Sequence, residues 1–430
     1  MTKLALTGGE KVIQSPLKLY NSIGEEELLA ASEVIKSGNL SQFIGGWCDD
    51  FHGGPKVREF EEKSAEYFDV KSAISVNSWT SGLIAAVGAI GIEPGDEIIV
   101  PTWTMCASAT AILHWNAIPV FADIDPDTFN ISTESILKCL SKYTKAIMAV
   151  DIFGQSCDID EIMRIAKLYK LKVITDTAQS PGAIYGNAKT GTISDIGGYS
   201  LNYHKHIHTG EGGILVTDID EYAQRLQLIR NHAEAVVKDL PNINLANLVG
   251  YNFRMGEIEA AIGIEQLKKL DTIVAGRQKA AQKLTDFLSG LEGIKTPHIG
   301  KSSSHAYYVY PMILDVDVLG VPRSVIARAL EAEGLGGLAP GYANLHLLPM
   351  YQQKIAYGSR GFPWSSDICK REVSYRKGIC PIAESFHDKY FLGFEMCLYQ
   401  LNECDLQQIC RVFEKIWSNL PLLRDYSKDA

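Results

Sequence analysis

The stretch GGYSLNYHKHIHTGEGGILVT, Gly197–Thr217, holds two short apolar runs, GGYSL (197–201) and GGILVT (212–217). The segment joining them carries His204, His206 and His208 at alternate positions around a single lysine, Lys205. Both runs read as strands, so the fold turns on what lies between them. If that segment is itself extended, alternate side chains share a face and the three imidazoles converge on a metal. If it is a tight return, TGEGG (209–213) turns the chain back and the segment frames an amine nucleophile. No Asp, Glu or Cys stands at ligand spacing within it, and three ligands on neighbouring alternate positions would crowd an ion against one strand. The amine reading is therefore preferred.

Working outward, five further β-branched apolar runs precede this stretch: SAISV (72–76), DEIIV (96–100), IPVFADI (118–124), KAIMAVDI (145–152) and LKVITD (171–176). Between them, TSGLIAAVGAIG (80–91) and DIDEIMRIAKLYK (158–170) have the length and apolar spacing of helices. This alternation predicts an α/β fold with a seven-stranded, mostly parallel sheet covered on both faces. A long amphipathic helix over 256–291 then leads to mixed strands and helices, such as AYYVYPMIL (306–314) and VPRSVIARALEAEG (321–334). The expected organisation is a large α/β domain over 1–265 and a smaller C-terminal α+β domain over 266–430. Residues 341–370, rich in Gly, Pro, Tyr and Trp, read as an irregular loop near a site.

The bulk numbers fit a globular protein: 430 residues, 46% hydrophobic and 21% charged. A formal charge of −10, from 41 basic and 51 acidic residues, argues against a nucleic acid or an anionic membrane as partner. Nine scattered cysteines without a CxxC pair read as reduced thiols. The opening MTKLALTGGEKVIQSP lacks the apolar core of a signal peptide, and no apolar run approaches the roughly 20 residues that span a bilayer. The expected compartment is the cytoplasm.

Three features carry chemistry. In VITDTAQSPGA (173–183), Asp176 stands where a strand runs out, and ligands of open α/β sheets bind outside the carboxyl ends of strands. The plain alternative is a helix-capping or loop aspartate. In NSWTSG (77–82), a strand turns into a helix whose free amides and dipole make a seat for a phosphate, with Ser78, Thr80 and Ser81 adding hydroxyls. Here the plain alternative is an ordinary cap. Third, Lys205 becomes nucleophilic once desolvated or placed near positive charge. Taken in order, these are a phosphate cradle, a counter-ion for a pyridine nitrogen and an amine for an aldehyde. They are the parts that pyridoxal 5′-phosphate requires.

On these motifs the chain resembles the DegT/DnrJ/EryC1/StrS family of fold-type I, pyridoxal-phosphate-dependent aminotransferases. The resemblance runs along most of its length, through LTGGEKV, EPGDEIIVPTWT, IPVFADIDPDTFNI, DTAQSPGA, GTISDIGGYS, HKHIHTGEGGILVTD, YNFRMGEIEAAIGIEQL and LHLLPMY. It implies that Lys205 is the catalytic residue, carrying the cofactor as a Schiff base. Asp176 would pair with the ring nitrogen and Gln179 would lie beside the ring hydroxyl. Ser200, Trp79 and Thr80 would bind the phosphate. Asn252 would reach the phosphate of the neighbouring subunit in a homodimer with shared sites.

The chain departs from the family pattern at three places. Trp79 stands where glycine is usual, Met105 where an aromatic residue stacks on the pyridine ring, and Asp151 where a histidine is frequent. A thioether covers less of a ring face than an aromatic side chain and offers no π overlap. The implied reaction moves an amino group from glutamate or glutamine to a keto-sugar, first of all a nucleotide-linked one. That places it in amino-sugar biosynthesis for a cell-surface polysaccharide or a secondary metabolite. A keto-cyclitol of the scyllo-inosose type is the alternative acceptor. A pyridoxal-phosphate-dependent sugar dehydratase is the alternative reaction, but that branch has histidine where this chain has Lys205.

Overall fold

The computed structural model describes residues 3–241 and 243–429. Its central sheet consists of β1 (Ser72–Val76), β2 (Glu97–Pro101), β3 (Ile118–Ala122), β4 (Thr144–Val150), β5 (Lys172–Asp176), β6 (Ile196–Ser200) and β7 (Gly213–Thr217). Their order is β1-β7-β6-β5-β4-β2-β3. Pairing is parallel from β6 through β5, β4 and β2 to β3, whereas β7 runs antiparallel to both of its neighbours. β2, β3, β6 and β7 are buried along their whole length. Burial on both faces is why these strands read as unbroken apolar runs and not as alternating ones.

Helices cover the sheet: α1 (Glu25–Ser37), α2 (Pro55–Phe68), α3 (Trp79–Ala89), α4 (Ala107–His114), α5 (Thr133–Cys139), α6 (Ile159–Tyr169), α7 (Asp220–Arg230) and α8 (Glu257–Leu288). At 32 residues α8 is roughly 48 Å long. Its first half packs Ala260, Ile264, Leu267 and Leu270 with Val57 and Phe60 of α2. Its second half sends Ala281, Leu284 and Leu288 into a separate core.

That second core lies against a four-stranded antiparallel sheet: β8 (Ile294–Lys295), β9 (Tyr310–Leu314), β10 (Leu338–Ala339) and β11 (Phe391–Phe394), in the order β8-β9-β11-β10. The N-terminal segment joins this core through Leu4, Ile13 and Leu17. Residues 341–386 are irregular with short helical turns, and they pack on the large sheet instead. Tyr351 packs edge-on against Phe121 at 4.9 Å, and the Tyr375 hydroxyl donates to Pro119 O at 2.7 Å. The segment thus covers β3, the edge strand.

The single reversal at β7 positions the site. Gly213 pairs with Val76 on one side and Ser200 on the other, so the end of β1, the end of β6 and the loop between β6 and β7 meet at the carboxyl edge of the sheet.

Candidate active site

Residues 201–212 form turns, not a strand. The loop is closed by Leu201 N–H donating to Gly212 O at 2.9 Å and Thr209 N–H donating to Leu201 O at 3.0 Å. Its histidines diverge. His206 is buried with Nε2 at 2.8 Å from Ala306 O, while His208 Nδ1 accepts from its neighbour Gly210 N. Among the described residues no group of three or more His, Cys, Asp or Glu is placed to hold a metal ion. The shared-face reading of the three imidazoles is thereby corrected: once the segment turns, alternate positions no longer point the same way.

The same loop sinks Lys205 to 7% exposure, with Nζ 4.2 Å from the centroid of the Tyr308 ring. Burial brings its pKa down to about 8, against a smaller upward pull from Cys397 and the Asp176 carboxylate. Desolvation disfavours the ammonium, so a useful fraction of free amine exists near neutral pH. Burial, reinforced by the charge of Lys205, also takes His204 down to about 4, so that imidazole is neutral.

Asp176 ends β5 and is 4% exposed. Oδ1 accepts from the indole N–H of Trp79 at 2.7 Å and from Ala178 N–H at 3.2 Å, and Oδ2 accepts from Ser108 Oγ at 2.7 Å. Gln179 is fixed at both ends: Oε1 accepts from Phe153 N–H and Nε2 donates to the Tyr342 hydroxyl, each at 2.8 Å. At the start of α3, Ser78 Oγ caps Ser81 N–H at 3.1 Å. The amides of Trp79 and Thr80 have no carbonyl a turn before them and face outward as a helix terminus does. Ser200 lies at the end of β6, its Oγ accepting from Asn202 N–H at 3.3 Å.

Trp79, Thr80, Met105, Asp176, Gln179, Ser200 and Lys205 all border one cavity of about 230 Å³. Asn252 does not. It is exposed, its backbone oxygen accepts from Asn77 Nδ2, and its side chain accepts from Arg254 Nε at 2.7 Å. A larger cleft of about 580 Å³, between the 125–134 turn and the 298–303 loop, borders none of these residues.

Sequence reasoning missed Ser108, Tyr308 and Tyr342. Tyr342 falls in the loop marked out by its composition. Ser108 lies four residues past the EPGDEIIVPTWT motif, in the first turn of α4. Tyr308 had no local signal beyond the aromatic run before β9.

An amine, a buried carboxylate and a helix terminus with a hydroxyl beside it fit a phosphate-bearing pyridine aldehyde. The comparisons agree. The profile of the DegT/DnrJ/EryC1/StrS aminotransferase family matches residues 22–378. The chain belongs to that family.

GDP-perosamine synthase from Caulobacter vibrioides is 36% identical over 299 residues, 69% of this chain and 79% of that protein. L-glutamine:2-deoxy-scyllo-inosose aminotransferase from Streptoalloteichus tenebrarius is 30% identical over 356 residues, 81% and 83% of the two chains. The solved structure of an aminotransferase from Psychrobacter cryohalolentis superposes with a TM-score of 0.80 at 27% identity, covering 94% of this chain and 100% of that one. The protein is accordingly a pyridoxal-phosphate-dependent aminotransferase with the fold-type I architecture.

Proposed function

We propose that the protein transfers an amino group from glutamate or glutamine to a keto-sugar, most simply a nucleotide-linked one, in amino-sugar biosynthesis. The observation that carries this is the buried Lys205 amine sharing one cavity with the Asp176 carboxylate, in a chain whose relatives include a GDP-perosamine synthase. When bound, pyridoxal phosphate supplies an electron sink. The residues around it do the rest. Lys205 would hold the aldehyde end of the cofactor, and its amine would serve as the base and acid that moves a proton at the substrate carbon. Asp176 would keep the ring nitrogen protonated, and Gln179 would lie beside the ring hydroxyl. The Trp79 and Thr80 amides with the Ser200 hydroxyl would hold the phosphate, and Met105, 53% exposed at the cavity, would take the place of the stacking residue. The large domain is taken as 1–265 and the smaller as 266–430, with the N-terminal segment packed on the smaller core and 341–386, which brings Tyr342 to the site, packed on the large sheet.

The same reading makes the protein a cytoplasmic homodimer with shared sites, Asn252 crossing to the partner's phosphate. α1 supports it. The helix buries Val34 and Glu27, and Glu27, 1% exposed, accepts from Gln266 Nε2 at 2.7 Å and Lys269 Nζ at 2.9 Å. Leu28, Leu29 and Ile35 of the same helix are 58%, 56% and 60% exposed. A helix that buries a glutamate and exposes two leucines and an isoleucine suits an apolar partner surface. Among the described residues no helix is long and apolar enough to cross a membrane.

The cyclitol reading is the alternative acceptor, favoured by the scyllo-inosose relative. Incubating the loaded enzyme and L-glutamate or L-glutamine with nucleotide-linked keto-hexoses and with scyllo-inosose, then weighing the amine products, decides between them. Amination of the nucleotide sugars supports the first reading. Amination of the inosose alone transfers the assignment to cyclitols. Loss of water without a gain of nitrogen would mean a dehydratase.

A further inference from the structure

Trp79 stands on the first turn of α3, where the backbone faces the phosphate seat, yet its side chain does something else. The indole folds beneath the helix at 5% exposure, and its N–H reaches Asp176 at the end of β5. The room for it comes from two glycines. A Cβ at Gly82, one turn along α3, or at Gly198, in β6, would overlap the six-membered part of the indole. A space opened from both the helix and the sheet is a fitted slot.

We infer that Trp79 is a positioning residue whose indole N–H fixes which oxygen of Asp176 faces the cofactor's ring nitrogen; this rests on Asp176 being that nitrogen's partner. The argument is one of acceptor capacity. Each carboxylate oxygen offers two lone-pair lobes. Oδ1 has both engaged, by Trp79 Nε1 and Ala178 N, whereas Oδ2 has one engaged, by Ser108 Oγ. A lobe of Oδ2 is left for a pyridinium N–H. Removing the indole N–H frees a lobe on Oδ1 and lets the carboxylate rotate, so the charged contact to the ring is no longer pre-set.

The neighbouring carboxyl supports this division of labour. Asp151 is fully buried, and burial followed by the charge of Asp176 pushes it up to about 7. Its Oδ1 accepts Cys157 N–H at 2.8 Å, and its Oδ2 lies 3.4 Å from the Ser180 hydroxyl. Burial drives Asp151 toward its neutral form, whereas three donors face the oxygens of Asp176.

The plain competing account is that Trp79 fills core and Asp176 merely satisfies its N–H, as buried indoles require. A double-mutant cycle separates the two. Trp79→Phe, Asp176→Asn and the pair are prepared free of cofactor, and the dissociation constant for pyridoxal 5′-phosphate and the visible spectrum of the bound form are measured. Benzothienylalanine at position 79 is measured beside them, because it keeps the bicyclic shape and lacks only the N–H. Thermal unfolding of the cofactor-free proteins serves as the control for packing.

Both the phenylalanine variant and the isostere should bind cofactor roughly tenfold more weakly, with an altered absorption band. Neither change should appear on top of Asp176→Asn. The inference is overturned if the isostere binds and absorbs as wild type while Asp176→Asn remains impaired, which leaves the role of Asp176 standing. It is equally overturned if the effects of Trp79 and Asp176 add, which would place Trp79 at the phosphate end. If Asp176→Asn itself changes nothing, the ring-nitrogen reading falls and this inference falls with it.

Discussion

Lys205 and Asp151 are the two side chains whose protonation the fold moves furthest toward working pH. Lys205, with a pKa of about 8, becomes a free amine as pH rises through that value. Attachment of pyridoxal phosphate to the cofactor-free protein should therefore accelerate with pH and level off above about 9, as stopped-flow absorbance would record. Lys205→Ala should fold, lose the borohydride-sensitive visible band and lose transamination; turnover at the wild-type rate would reject the assignment.

Asp151 has the opposite linkage. Its carboxyl is raised to about 7 from an ordinary value near 3.9. Between those values the folded protein holds a proton that the unfolded chain has released. Its contribution is thus whole below pH about 4 and is lost as pH rises through 7. Asp151→Asn should leave Tm nearly unchanged at pH 4 and raise stability at pH 8 by roughly 1–3 kcal/mol. An unchanged pH dependence of Tm would show that Asp151 is not the titrating group.

α3 and the β6–β7 loop decide the site at the scale of elements. α3 begins at the carboxyl edge because β1 ends there, and Ser78 keeps its first turn open by capping Ser81 N–H. Ser78→Ala should cost about 0.5–2 kcal/mol of stability. It should also weaken pyridoxal 5′-phosphate more than pyridoxal, since the slackened turn holds the phosphate and not the ring. Equal losses for the two, measured by equilibrium dialysis, would take the phosphate away from this helix. The β6–β7 loop owes its shape to the antiparallel β7. A parallel strand there would need a crossover of a dozen or more residues, and the lysine would not return to the edge it left.

For the whole molecule, the exposed apolar side chains of α1 and the exposed Asn252 bear on the same proposal, a dimer with shared sites. Leu28→Asp with Leu29→Asp should shift the protein toward monomer in sedimentation, because two charges cannot be buried unpaired in an apolar interface. Lys205→Ala and Asn252→Asp chains, each inactive alone, should regain activity when mixed. Random reassortment puts about a quarter of all sites in a fully wild-type state, since half the dimers are hybrids with one intact site each. Verified hybrids that stay inactive, or an active monomer, would sink the shared-site arrangement.

Much of this was legible in the chain. A sheet buried on both faces needs runs of β-branched residues, so its seven strands show in the sequence within a residue or two. Lys205, Asp176 and the start of α3 are legible because their chemistry is set by their place next to a strand end. At the three histidines alternation predicts a shared face only if the backbone stays extended, and here it turns. That Leu28, Leu29 and Ile35 of α1 face outward depends on Gln266 and Lys269, some 240 residues away, meeting Glu27. Ser108 reaches Asp176 from α4, Tyr308 reaches Lys205 from the approach to β9, and Tyr342 reaches the cavity from the loop over the sheet edge. The slot between Gly82 and Gly198 that turns Trp79 toward Asp176 likewise exists only once helix and sheet are packed. Such placements are set by three-dimensional distance, which no periodicity along the chain encodes.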